Sequence, residues 1–491
     1  MINLTISEAL KKLNAREISA SELTRAHIER ADKLNPELNA FITTTPERAM
    51  ADAAASDERR KTGDAKILDG IPIGMKDLFA TRGIRTTAGS HMLENFVPEY
   101  ESTVSQKFID AGTVLIGKTN MDEFAMAGTG RTSYFGATVN PYSRDVKLMP
   151  GGSSSGSVAA VAAGLCMGAT GSDTGDSIRY PASLNGLVGM KPTYGLCSRF
   201  GCFAFASSLD TPGPIARTVD DAALLLGAMA GCDAHDSTSS PIADDVAQKL
   251  LNGINAANVR GMRIGIIREI MAADGIADDM RAMFTKHIDD LRAAGAEIIE
   301  VSVPHIMLTG TLYAVISRAE ASSNLSRYDG MRYGLRVDGA DLNDTYMKTR
   351  AAGFGDNVKF RMLTGVIGLT KDFYEPLFIQ ATRVRRMLAN EMDAALSMCD
   401  VILTPSAPCA AFPLDSDLSD AAATVSNAML VPMNLAGLPG CSVMGGKNSD
   451  GLPLGLHVMG AWGDDVRVLE MAKYIESVVN IDNRPTTVMG K

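Results

Sequence analysis

Two serines sit on glycine-rich turns, and a lysine lies well upstream of both. Ser153 belongs to Pro150-Gly151-Gly152-Ser153-Ser154-Ser155-Gly156-Ser157. Ser177 belongs to Gly171-Ser172-Asp173-Thr174-Gly175-Asp176-Ser177-Ile178-Arg179-Tyr180-Pro181. Lys76 follows the apolar run Ile71-Pro72-Ile73-Gly74-Met75, which can carry it into the interior. A serine hydroxyl is a weak nucleophile until a base removes its proton. A lysine can be that base once burial lowers its pKa. Glycines beside both serines permit turns that expose a hydroxyl and aim N–H groups inward, where they can hold a developing oxyanion. These residue types suggest a Ser–Ser–Lys centre that transfers an acyl group from an amide.

Other readings of the same residues stay open at this point. A Ser-His-Asp triad is disfavoured, because none of His27, His91, His235, His287, His305 and His457 lies in a glycine-flanked turn beside either serine. A phosphate cradle lacks its Gly-x-x-x-x-Gly-Lys-Ser/Thr pattern, and no lysine follows the serine cluster. A purely structural Gly/Ser loop is the plain alternative, as is an ion-paired structural role for Lys76.

The elements that must position these groups read as α/β. Helices are expected over 7–34, with a capping box at Ser19-Ala20-Ser21-Glu22 and an end near Asn35-Pro36, and again over 46–60. Short apolar segments follow at 71–75 and 114–118, then a buried helix of small residues over 158–164. A strand at 263–267, an amphipathic helix over 278–294 and a strand over 297–303 make a βαβ unit, hence an at least partly parallel sheet. A long helix is expected over 371–397, ahead of a strand at 401–403.

The bulk numbers narrow the function further. A chain of 491 residues would make about three domains at roughly 150 residues each, but no linker-like segment interrupts it. The expectation is one domain over 1–491, with the helical segment 1–60 packed on it and a core over about 68–220. The net charge of −10 argues against this chain alone gripping nucleic acid. No basic region followed by an apolar run opens the chain, and the weakly polar run 158–170 is too short to span a bilayer. Seven cysteines without a Cys-x-x-Cys pair, and with no zinc spacing around Cys197 and Cys202, suggest a reduced, cytoplasmic protein with free thiols and no metal.

Together the Gly-Gly-Ser-Ser loop, the Ser-Asp-Thr-Gly-x-Ser-Ile-Arg turn and the upstream lysine resemble the amidase signature family, over about 68–460. The resemblance implies a mixed central β-sheet flanked by α-helices on both sides. It implies Ser177 as nucleophile, Ser153 as a bridging serine on a cis peptide bond, and Lys76 as terminal base. The backbone N–H groups of Thr174, Gly175, Asp176 and Ser177 would form the oxyanion hole.

Within that family, five further segments resemble the A subunits of glutamyl/aspartyl-tRNA amidotransferases. They are Thr119-Asn120-Met121-Asp122-Glu123-Phe124-Ala125-Met126, Gly189-Met190-Lys191-Pro192-Thr193-Tyr194-Gly195, Phe203-Ala204-Phe205-Ala206-Ser207-Ser208-Leu209-Asp210, Glu320-Ala321-Ser322-Ser323-Asn324-Leu325-Ser326-Arg327 and Asn434-Leu435-Ala436-Gly437-Leu438-Pro439-Gly440. That resemblance implies hydrolysis of a small amide, expected to be glutamine, without a cofactor in this chain. Ammonia would pass to partner subunits B and C of a heterotrimer, which would hold ATP and Mg and amidate Glu-tRNA(Gln) or Asp-tRNA(Asn). The tRNA would be met through the partner, as an acidic chain requires, and no membrane contact is expected. Arg361 matches the family's carboxylate-binding arginine, Tyr313 a substrate-contacting tyrosine, and Asn427 stands where an aspartate meets the substrate ammonium.

Several positions depart from the family pattern. Asp176 replaces a glycine. A carboxylate facing the oxyanion at about 4 Å would repel it by on the order of 4 kcal/mol at an effective dielectric near 20, or about three decades of rate. If the side chain points away, turnover is reduced and not abolished. Asn427 can accept a hydrogen bond but carries no charge, which predicts weaker glutamine binding or a different substrate. Gly130 and Arg131 replace an acid-containing pattern, and Thr211-Pro212-Gly213 a glutamine-containing turn. Two rivals remain: a stand-alone amidase acting on another small amide, and a catalytically weakened subunit kept for assembly.

Overall fold

Lys76 and the Ser177 turn hang from neighbouring strands of one sheet. The computed structural model describes residues 1–485 and Val488. Its strands are β1 (Phe41–Thr44), β2 (Pro72–Lys76), β3 (Val114–Thr119), β4 (Gly168–Asp173), β5 (Val188–Lys191), β6 (Thr211–Ala216), β7 (Arg263–Ile267), β8 (Glu297–Val301), β9 (Val401–Pro405), β10 (Gly440–Lys447) and β11 (Pro453–Met459). They form one sheet in the order β1-β3-β2-β4-β6-β5-β10-β11-β9-β7-β8. β2 pairs in parallel with β3 and β4, and β7 in parallel with β8 and β9, while the remaining ladders are antiparallel. The sheet is therefore mixed, and the expected β7–helix–β8 unit is present with Arg263 opposite Glu297.

Buried apolar residues fall into two clusters, and the strands alternate between them. Val401 and Leu403 of β9 enter one, and Ile402 the other, as a side-chain period of two requires. The N-terminal helices Ile6–Asn14 and Ala20–Leu38 bury Leu13 and Leu23 in the first cluster. The Asp221 carboxylate accepts from the N–H groups of Ile6 and Ser7, at 3.0 and 3.1 Å, and so caps the first of these helices. Ser19 and Glu22 form the capping box read from the sequence.

The helix expected to stop at Asn35-Pro36 runs on to Leu38. Pro36 sits in its last turn, and Asn39 ends the helix in a left-handed conformation, φ 50°, with its N–H on the Asn35 carbonyl. The helix expected over 371–397 is broken. Lys371–Phe373 is α-helical, Tyr374–Ile379 is a π turn, and Gln380–Met398 is α-helical again. Pro376 has no N–H to give the carbonyl four residues back, and the wider turn accommodates that loss.

Thr211-Pro212-Gly213, read as a turn, lies in the buried strand β6. Its two prolines are two residues apart, so both missing N–H groups lie on one side of the strand. The ladder to β5 stops at Ile215, ahead of them.

The helix Ser155–Ala162 follows Ser153 directly, and each of its residues is buried. It packs on β2, β3 and β4. A Cβ at Gly156 would collide with the Ala40 carbonyl oxygen and the Asn120 backbone, so small residues are what let this helix lie so close to its neighbours.

Candidate active site

Lys76 ends β2 and Ser172-Asp173 end β4, its parallel neighbour, so the three residues reach the same sheet edge. The Lys76 N–H donates to Thr170 Oγ1 at 2.7 Å. Its Nζ lies 2.8 Å from Ser153 Oγ, 2.9 Å from Ser154 Oγ and 2.8 Å from Ser172 Oγ. No carboxylate touches it among the described residues. Lys76 is completely buried, and burial pushes its amine down to about 7, with Cys202, Asp122, Asp173 and Asp210 pulling weakly the other way. A substantial fraction of Lys76 is therefore neutral near pH 7 and able to take a proton.

The Gly152–Ser153 peptide bond is cis. The Ser153 carbonyl accepts from the Asp122 N–H at 3.2 Å. The Asp122 carboxylate in turn gathers the N–H groups of Thr129, Gly130 and Thr132 and the Thr132 hydroxyl. One side chain thus fixes the loop 129–132 beside the serine loop.

The Ser177 turn is held from inside. Asp173 and Arg179 are both fully buried and meet through Nη2–Oδ1 and Nε–Oδ2 at 2.9 and 3.0 Å. Burial alone would raise the Asp173 pKa, yet Arg179 and the Asn434 amide keep it at about 2. Asp173 also accepts the Ile178 N–H at 3.0 Å, while Arg179 donates to the carbonyls of Gly175 and Leu430 and to Asn434 Oδ1. The Thr174 hydroxyl is fixed by Asp210 at 2.8 Å.

The four preceding N–H groups, on Thr174, Gly175, Asp176 and Ser177, donate to no protein acceptor among the described residues. Successive N–H donors left free in one turn suit an oxyanion. The Ser177 hydroxyl also has no protein hydrogen bond among the described residues, so it does not bond to Ser153 Oγ. The two serine turns meet instead through the Ser154 N–H and the Ser177 carbonyl, 3.3 Å apart.

Tyr313 packs against the turn: its ring lies 3.0 Å from where a Cβ on Gly175 would stand. Arg361 is part-buried and donates through Nε to Asn357 Oδ1 at 3.3 Å, while Asn357 donates to the Met126 carbonyl at 2.6 Å. Asn427 lies against Gly310, one helical turn before Tyr313, and gives its amide N–H to the Ala423 carbonyl of its own helix at 2.8 Å.

Asp176 does not take a positive φ, so the position carries no left-handed strain. Its carboxylate points toward Gly128, with Oδ2 4.0 Å from where a Cβ there would stand. Burial among protein groups pushes it up to about 7, Asp173 adds to the rise, and Arg179 and Arg361 oppose it.

Sequence reasoning named Lys76, Ser153 and Ser177 but passed over the groups that hold them. Ser154, Ser172, Asp173 and Arg179 lie inside the same two serine motifs and Asp122 in the segment 119–126, and the charges among them were the available signal. Arg131 is explained by the chain itself: it donates to the carbonyls of Leu414 and Ser416 and pairs with Asp417. Among the described residues no group of three His, Cys, Asp or Glu side chains could hold a metal, and no helix is long and apolar enough to cross a membrane.

Known proteins match this chain over nearly its whole length. The model of the Amidase family matches residues 22–469. The A subunit of the glutamyl-tRNA(Gln) amidotransferase of Paramagnetospirillum magneticum is 48% identical over 493 residues, covering 99% of each chain. Its counterpart in Rhizobium meliloti is 48% identical over 97% of each. Among solved structures, the A subunit of the Thermotoga maritima glutamyl-tRNA(Gln) amidotransferase superposes with a TM-score of 0.79 at 34% identity, over 100% of this chain and 98% of that one. The native peptide amidase of Stenotrophomonas maltophilia does so with 0.84 at 31% identity, over 99% of each. The chain belongs to the amidase signature family.

Proposed function

We propose that this chain hydrolyses the side-chain amide of glutamine and supplies the ammonia to a transamidation of Glu-tRNA(Gln) or Asp-tRNA(Asn). The observation that carries the reading is the contact between the buried Lys76 amine and Ser153 Oγ, 2.8 Å, beside a turn whose four N–H groups meet no acceptor among the described residues. Neutral Lys76 takes the Ser153 proton as Ser153 takes that of Ser177, whose hydroxyl must first turn toward Ser153 Oγ, and Ser177 Oγ bonds to the amide carbon. The N–H groups of 174–177 hold the oxyanion. Collapse breaks the C–N bond, the proton returns through Ser153 to the leaving nitrogen, and ammonia departs. Water then adds to the Ser177 ester by the same relay and releases glutamate.

Tyr313 and Arg361 sit beside this centre as substrate-contacting groups. The full-length relatives are named A subunits of glutamyl-tRNA(Gln) amidotransferases, which supports this reading; in it, ATP, Mg and tRNA would be held by partner subunits B and C of a heterotrimer. The likeness to a peptide amidase and the neutral Asn427 favour a second reading, a stand-alone amidase.

Mass spectrometry of the chain quenched during glutamine turnover is expected to find a glutamyl adduct on the peptide carrying Ser177, absent in Ser177→Ala. Glutamine hydrolysis that rises when subunits B and C are added supports the amidotransferase. Hydrolysis of other amides alone supports the second reading.

A further inference from the structure

We propose that Asp176 receives the ammonium group of the substrate and, with Arg361, selects an amide whose skeleton carries both an ammonium and a carboxylate. The inference rests on the glutamine reading above and assigns its charge recognition. Asp176 immediately precedes Ser177, is part-buried with solvent reaching it, and its carboxylate accepts no hydrogen bond among the described residues. Arg361 is also partly accessible, and both its Nη groups lack a protein acceptor among the described residues.

The two belong to one site. Asp176 Oδ2 borders Gly128, and Asn357, which orients Arg361, is tied to the carbonyl of Met126, two residues from Gly128. They attract one another, and both act on Tyr313, yet no direct ion pair joins them. Opposite charges that share a site without touching leave each free for a ligand of complementary charge, and a guanidinium fork suits a carboxylate. Asn427 carries no charge, its Nδ2 being given to the Ala423 carbonyl, and Asp176 is the anion next to the nucleophile.

The test compares L-glutamine with 4-carbamoylbutanoate, which keeps the amide and the carboxylate and lacks the ammonium. Asp176→Asn is expected to raise the KM for glutamine about tenfold, the worth of one charge-assisted hydrogen bond, and not to raise that for 4-carbamoylbutanoate, which has no ammonium to lose a partner. Asp176→Gly, which also removes the charge, is expected to show the same loss of discrimination. Asn427→Asp is expected to leave it in place. Equal shifts for both amides, no shift for either, or a lower glutamine KM in Asn427→Asp would overturn the assignment. If neither amide is hydrolysed while an unrelated amide is, the glutamine reading itself falls, and this assignment with it.

Discussion

The guanidinium of Arg179 lies 2.9 Å from the carboxylate of Asp173, and the pair closes the turn that presents Ser177. Both are removed from water, so neither can be lost alone without leaving a buried, unpaired charge. Arg179→Met is expected to destabilise the fold by about 3–5 kcal/mol, measured by denaturant unfolding. Asp173→Asn in the same chain should recover part of that loss, and additive effects of the two changes would show that the charges do not act as a pair.

Lys76 sets the pH dependence of turnover. As the terminal base it must be unprotonated, so kcat/KM is expected to rise with pH through about 7, falling about tenfold per unit below it. Asp176 ionises over the same range, and Asp176→Asn should keep the Lys76 limb. Lys76→Arg, permanently charged, is expected to lose activity at every pH.

The same lysine makes stability pH-dependent. Its pKa falls from the usual 10.5 to about 7 on folding, so between those values the unfolded chain binds the extra proton. Stability therefore rises with pH across that window. Thermal unfolding of Lys76→Met should lack this component, and parallel curves for the two proteins would contradict it.

Gly175 is a contact position as well as a donor. A methyl group there would stand 3.0 Å from the Tyr313 ring, so Gly175→Ala must displace the ring or the turn. A displacement near 1 Å can cost about a hundredfold in rate, and kcat is expected to fall with little change in folding, checked by circular dichroism.

Asp176→Gly should separate the two kinetic constants. Removing the charge one residue from the nucleophile is expected to raise kcat, whereas loss of an anion for the substrate ammonium raises KM. A fall in kcat would show that the carboxylate assists the chemistry.

The contact between Lys76 and Ser153 was legible because an apolar run and a glycine turn mark the two residues locally. The mixed sheet was only partly so. β6 begins with Thr211-Pro212-Gly213, which reads as a turn until its neighbours on both sides are known, and the π turn at Pro376 reads as uninterrupted helix. Ser172, Ser154 and the Asp173–Arg179 pair escaped notice for a related reason. Their role lies in which distant groups they meet, and a one-dimensional pattern holds no record of that.

The helix Ser155–Ala162 has a consequence for how this protein fails. It has no solvent-facing side on which to loosen, and its first residue is two positions from Ser153. Heat cannot melt the serine loop by itself while the rest endures, so inactivation and the collapse of the whole tertiary structure should coincide.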